Sequence, residues 1–232
     1  MPKELDILIA CEESQAICKE FRALGHKAFS CDIQECSGGH PEWHINSNVL
    51  QILDGNCSFT TMDGKTHFVT GKWDLIIAHP PCTYLTNAGA VRMFPHKGIL
   101  DPERFQKAIM AKEFFLKFYN ANCEHILIEN PLPLTCVQLP NYSQVIQPYE
   151  FGDPYSKRTC LWLKGLPMLK PTDILTKYQP FINGGGGRLE RDNYKGKHFA
   201  NGAKNRSKTF SGIAKAIAEQ YSNYLLKTST YE

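Results

Sequence analysis

The side chains best able to do chemistry in this 232-residue chain stand just beyond apolar runs. Cys82 follows residues 74–78 (DLIIA), then His79 and two prolines, Pro80 and Pro81. The proline rings fix φ on the approach and limit the wander of the thiol. Such a thiol becomes a nucleophile once neighbouring charge or backbone N–H groups help it ionise. Glu129 closes residues 125–129 (HILIE) and leads into Asn130-Pro131. A carboxyl at a strand end in a partly dry pocket is expected to have a raised pKa and to donate a proton. Nucleophile plus proton donor suits addition to an electron-poor ring such as a pyrimidine. Protonating the ring nitrogen makes the far carbon electrophilic.

Other carboxylates occupy similar places. Cys11, Glu12, Glu13 and Ser14 follow residues 5–10 (LDILIA), and Asp32 ends residues 27–33 (KAFSCDI). Both runs are short, apolar and bounded by polar residues, as buried strands are. Between them residues 13–24 carry Ile17, Phe21 and Leu24 at helical spacing and stop at Gly25. Strand, helix and strand in so short a span predict a right-handed crossover and a parallel sheet. Further along, residues 48–53 predict a short helix and residues 56–72 a hairpin around Asp63-Gly64. Residues 101–120 predict a long helix capped by Asp101-Pro102, with Phe105, Ile109, Phe114, Phe115 and Phe118 on its apolar side. Residues 145–151 and 159–163 predict later strands, and residues 211–226 a closing amphipathic helix with Ile213, Ala214, Ile217 and Tyr221 on one stripe. Alternating strands and helices imply an α/β fold: a mostly parallel sheet with helices on both faces. Ligands in such folds bind at the C-terminal ends of the strands. One edge would therefore gather Cys11, Glu12, Glu13, Asp32, Cys82 and Glu129.

At 42% hydrophobic and 21% charged the chain has an ordinary globular composition. No run approaches the roughly 18 apolar residues of a membrane helix. The first residues lack a signal-peptide shape, so a cytoplasmic location and no membrane partner are expected. Nine cysteines, an odd number scattered along the chain, read as free thiols in a reducing compartment rather than a disulfide framework. The net charge of +3 is uninformative, but its distribution is not. Residues 180–208 hold seven basic side chains (Arg188, Arg191, Lys195, Lys197, Lys204, Arg206, Lys208) against Glu190 and Asp192, a surplus of +5. Tyr194, His198 and Phe199 are interleaved with them, and four glycines (184–187) precede them. That mixture suits phosphate contact and base stacking, or a solvated loop. Cys31, Cys36, His40 and His44 are zinc-ligand types at an unusual spacing, and the expectation is no metal.

Pro81-Cys82 after a buried strand, followed by Ile128-Glu129-Asn130, resembles the cytosine-C5 DNA methyltransferase family. The order also matches: cofactor strand, acidic end of the second strand, Pro-Cys, Glu-Asn, an arginine-bearing strand and a returning helix. The resemblance covers residues 6–163 and 206–224. It implies a Rossmann-like S-adenosylmethionine-dependent methyltransferase fold and methylation of cytosine C5 in DNA. Cys82 would attack C6, Glu129 would contact N3 and the exocyclic amine, and Lys157 or Arg158 would reach the pyrimidine oxygen. The cofactor would lie against Ala10, Cys11, Glu12, Glu13, Ser14, Asp32, Ile33, Asn48, Pro80 and Ser211. Asp32 would take the ribose hydroxyls and Asn48 would lie near the adenine amine. Ser211 belongs to Phe210-Ser211-Gly212, which resembles the closing motif.

The chain departs from the family in three motifs and in size. Ala10 to Ser14 holds no glycine where the family is glycine-rich, the arginine is shifted by one position, and Thr83 follows Cys82 in place of glutamine. The expected organisation is a catalytic core (1–163), a short basic insert (164–205) where a target-recognition domain would stand, and a C-terminal helix (206–232). So small an insert fits DNA read with weak specificity or as a single strand, or a partner protein that supplies recognition. The compact form suits a phage or mobile element. The alternatives are the same chemistry on a free nucleotide or another nucleic acid, or a non-catalytic nucleotide- or DNA-binding protein on a degenerate scaffold.

Overall fold

In the computed structural model residues 3–181 and 208–228 are described. The four glycines and all of the basic run except Lys208 lie outside them. The strands are β1 (Asp6–Ala10), β2 (Lys27–Asp32), β3 (His44–Asn46), β4 (Cys57–Thr60), β5 (Thr66–Val69), β6 (Leu75–Ala78), β7 (Ile126–Pro131), β8 (Gln144–Ile146), β9 (Tyr155–Ser156), β10 (Thr159–Lys164) and β11 (Gln179–Pro180). The helices are α1 (Ala16–Ala23), α2 (Ala90–Met93), α3 (Pro102–Tyr119) and α4 (Ser211–Thr228).

Seven strands form one sheet in the order β3-β2-β1-β6-β7-β10-β8. The first five are mutually parallel, and β10 runs antiparallel to both its neighbours. β4 and β5 form the expected hairpin beside it, and β9 pairs with β11. The chain leaves the centre through β2 and β3, then returns to the other side of β1 as β6. β1 and β6 therefore flank a topological switch point, where doubly wound folds open a crevice for ligands. This is a doubly wound, Rossmann-like α/β fold.

Strand alternation distributes the core over both faces. Ile7, Ile9, Leu75 and Ile77 pack with Ile17 and Phe21 of α1 and with Ile213, Ile217 and Tyr221 of α4. Leu8, Ala10, Ile76 and Ala78 pack with Phe115 and Phe118 of α3. Every second residue thus serves the opposite helical layer. The buried stripe of α3 runs through Ala108, Phe115 and Phe118, while Phe105, Ile109 and Phe114 are half-buried. Asp101 caps that helix by accepting from the N–H of Arg104 at 2.7 Å.

Three elements are shorter than their sequence pattern suggests. α1 begins at Ala16 rather than Glu13, because Gln15 adopts a left-handed conformation (φ 57°) that helical backbone cannot pass through. The apolar stretch 145–151 is not one strand. β8 ends at Ile146, and Pro148 opens a 3-10 turn through Glu150, whose carboxylate accepts from the N–H of Gln147 at 2.7 Å. The short helix at 48–53 is a single 3-10 turn, Val49–Gln51.

Candidate functional site

A cleft opens at the C-terminal edge of the sheet, at the switch point. Residues 11–14 form one wall, residues 79–82 and 129–131 the other, and Lys157, Lys208 and Thr209 close it. The turn after β6 is held in several places. Asn130 donates from Nδ2 to the Pro80 carbonyl at 2.8 Å, tying the turn to β7. The Cys82 carbonyl accepts from Leu85 N at 3.1 Å and Thr86 Oγ1 at 3.2 Å. Arg104 of α3 donates to the Thr83 carbonyl at 2.9 Å and lies over the Tyr84 ring. The thiol is thus presented by a turn whose backbone is fixed before, at and after it.

His79 and Glu129 face one another inside the cleft. Nδ1 of His79 donates to Oε2 of Glu129 at 2.9 Å, with each side chain about nine-tenths buried (11% and 10% exposed). Burial disfavours charge on both. For His79 it is outweighed by the Glu129 hydrogen bond and by the charges of Glu129 and Glu12, so its pKa is raised. For Glu129 it is outweighed by the His79 hydrogen bond, the Lys157 charge and the His79 charge, so its pKa is lowered. The expectation of a raised Glu129 pKa is corrected here: the carboxyl is buried, but His79 and Lys157 face it. The Cys82 thiol is pushed up by burial and by the Glu129 charge, against Lys157, which lowers it.

The opposite wall is also built around a carboxylate. Glu12, 4% exposed, accepts from Ile17 N at 2.7 Å and Cys18 N at 3.2 Å. These are N–H groups of the first turn of α1, so the helix end is plugged by the protein's own carboxylate. Burial nevertheless dominates and raises the Glu12 pKa. Cys11 sits at φ 59°, donates to the Cys31 carbonyl at 2.7 Å, and has its thiol pKa raised by burial and by the Asp32 charge. Glu13 accepts from Ser37 Oγ.

Of the residues singled out by sequence, Cys11, Glu12, Glu13, Ser14, Pro80, Cys82, Glu129 and Lys157 share the cleft. Ala10 is fully buried beneath it. Of the two candidate cations, Lys157 lines the cleft and Arg158 is exposed outside it. Asp32 stands at the tip of β2 beside Cys11, with Ile33 79% exposed next to it. Asn48 is exposed and caps the 3-10 turn through its bond from Leu50 N. Ser211 is exposed and donates to Asp153, whose other oxygen accepts from Gly212 N. The closing segment reaches the cleft through Lys208 and Thr209 instead. Sequence reasoning missed His79, the capping role of Glu12, and the bond by which Asn130 holds the Pro80 carbonyl. His79 was visible as an ionisable residue between a buried strand and two prolines, but its partner lies 50 residues away.

Three of the four zinc-ligand types have other partners, His40 bonding Glu42 through Nδ1 at 2.9 Å. His44 uses both ring nitrogens, with Ser30 Oγ and the Gln34 carbonyl, while Cys31 bonds the Ser47 carbonyl. Among the described residues no cluster of three or more His, Cys, Asp or Glu side chains could hold a metal. None of their helices is long and apolar enough to cross a membrane.

No protein-family model matches the chain, and no curated protein matches its sequence. The solved structures that resemble it include the Entamoeba histolytica methyltransferase EhMeth, at 18% identity and a TM-score of 0.41. That match spans 75% of this chain and 58% of the other. Likeness at this level says nothing about activity, so the functional argument rests on the site.

Proposed function

We propose that the protein transfers a methyl group from S-adenosylmethionine to C5 of cytosine in DNA, through transient addition of Cys82 to C6. The observation that carries this reading is the convergence of Cys82, Glu129 and Lys157 in one cleft at the switch point. A thiol on a fixed turn, a carboxylate and a cation are what addition to a pyrimidine requires: nucleophile, edge-binding group and a partner for the ring oxygen.

The choice of cofactor follows from the other wall. Doubly wound folds that hold dinucleotides place pyrophosphate on the first helix N-terminus. Here Glu12 occupies those amides, and Glu13 and Asp32 add further negative charge. A phosphate would be repelled, whereas a ligand carrying a sulfonium and an ammonium fits. Glu12 and Glu13 would face those cations, and Asp32 at the tip of β2 would take the ribose hydroxyls. When bound, S-adenosylmethionine supplies an electrophilic methyl group. The lysines at the mouth, Lys157 and Lys208, together with the basic residues of 188–206, suit a substrate bearing phosphates.

The test is covalent trapping. An oligonucleotide bearing 5-fluorocytosine, incubated with the protein and S-adenosylmethionine, is expected to yield an adduct that maps to Cys82. Absence of adduct with duplex, single strand and dCMP alike would sink the reading. An adduct with only one of them names the substrate.

A further inference from the structure

We propose that His79 is a positioning residue that stores the proton Glu129 delivers to the substrate ring, so that Glu129 rests as a carboxylate with its proton one hydrogen bond away. This inference rests on the methyl-transfer reading above for its substrate but not for its acid–base pair. Three observations support it. Nδ1 of His79 meets Oε2 of Glu129 at 2.9 Å inside the cleft that also holds Cys82. The other ring nitrogen, Nε2, is buried without a hydrogen-bond partner among the described residues, so among them the ring is held through Nδ1 and Glu129. The groups around the imidazole are charged on every side: Glu129 on β7, Glu12 after β1, and Lys157 ahead of β10. Two carboxylates against one lysine favour the imidazolium, in line with the raised His79 and lowered Glu129 pKa values.

The proton balance is as follows. The Cys82 thiol gives its proton to solvent water. The S–C6 bond forms, and the C5=C6 electron pair moves through the ring onto the ring nitrogen, which becomes basic. The Nδ1–H bond of His79 breaks as Oε2–H forms on Glu129, and that proton passes on to the ring nitrogen. His79 is left neutral and Glu129 ionised. Once C5 carries the methyl group, its proton leaves to solvent water, the C–H electron pair re-forms C5=C6, and the S–C6 bond breaks to release Cys82 as thiolate. The ring-nitrogen proton returns through Glu129 to His79, so the pair ends with the proton it started with.

This arrangement has a pH signature. The imidazolium is present below the raised His79 midpoint and lost as pH rises through it, while the thiolate grows until the raised Cys82 midpoint. Below the His79 midpoint the rate therefore climbs with thiolate, and between the two midpoints the opposing trends cancel into a plateau. His79→Asn keeps an N–H where Nδ1 stands but has no proton to give. Its rate should be lower by about a hundred-fold or more, and should keep climbing up to the thiol midpoint. A variant that keeps the wild-type plateau would overturn the proposal.

The pair can also be read without substrate. In the full chain labelled with 15N-histidine, the His79 signal (the one missing in His79→Asn) should titrate with a midpoint above that of free histidine. Glu129→Gln should move that midpoint down. A His79 midpoint at or below the free value, or one indifferent to Glu129→Gln, would overturn the proposal. Coupled titration in a protein that transfers no methyl group would instead sink the methyl-transfer reading and leave the pair standing.

Discussion

Glu12 and Glu129 line the same cleft from opposite walls, both buried, yet they stand in opposite relations to the proton. Glu12 is held by two neutral amides of α1, and burial lifts its pKa. Glu129 is held by His79 and faces Lys157, and its pKa falls. At Glu12 burial outweighs the His79 charge and the two amides together, whereas at Glu129 a direct hydrogen bond from His79 and the Lys157 charge outweigh burial. On the proposed reading, the Glu12 wall, taken as the cofactor wall, receives its positive charge from the ligand. The substrate wall has its positive charge built in.

The largest effect expected is on the substrate wall. Glu129→Gln should lower methyl transfer by about two to four orders of magnitude, the range typical of a positioned acid–base group. It also removes the partner of a buried imidazolium, a change that costs about 3–5 kcal/mol when the pair is fully buried. Single-turnover kinetics and urea titration would read the two losses separately. The stability contribution of Glu129 is complete above the ordinary glutamate value and lost as pH falls through its lowered folded one. Glu129→Gln should erase that acid-side slope. A variant with unchanged stability at neutral pH would mean that His79 finds another partner, and the contrast between the walls would weaken.

A smaller effect belongs to Glu12. Glu12→Ala strips the cap from α1 and should cost about 2 kcal/mol. Glu12→Gln keeps an acceptor for one amide and removes the charge. Because the folded pKa of Glu12 is raised, the folded chain holds a proton that the unfolded chain releases, so stability falls as pH rises from the ordinary value through the folded one. Glu12→Gln should therefore match wild type at low pH and exceed it above that window, in thermal melts run across pH. If Glu12→Gln loses stability at neutral pH as Glu12→Ala does, the charge is needed for the fold and not only for a ligand. S-adenosylmethionine binding by calorimetry should fall in both variants, since each removes negative charge from the cofactor wall.

How much of this was legible follows from range. The central strands, the long α3 and the closing stripe of α4 are local patterns of period two or near 3.6, and they could be read directly. Cys82 and Glu129 could be placed on one edge because parallel strands align their C-terminal ends. The pKa of Glu129 could not be read, because its sign depends on His79 and Lys157, which reach it from other elements. The choice of Lys157 over Arg158 was likewise hidden. Adjacent residues leave the chain on different sides, and only the path between β9 and β10 decides which of them enters the cleft. Gln15 and Cys11 carry left-handed backbone that nothing in their side-chain types announces.

Cys11 gives the finest test of the cofactor wall. Residues 10–14 lack the glycines of the resembling family. The backbone still adopts, at Cys11, a φ of 59° that glycine enters most easily, and it does so with a half-buried side chain packed on the core. Such a conformation costs an L-residue about 1–2 kcal/mol. Cys11→Gly relieves that cost but gives up the side-chain contact and adds backbone entropy to the unfolded state, so the terms should nearly cancel. Cys11→Val keeps an apolar side chain but places β-branching where it fits worst. It should melt lower than Cys11→Gly by a margin of about 1 kcal/mol, which is roughly 2–4 °C for a chain of this size. If both variants melt alike, side-chain packing rather than backbone geometry governs this turn. The cofactor wall would then be held from Glu12 onward, by its bonds to α1, and not from Cys11.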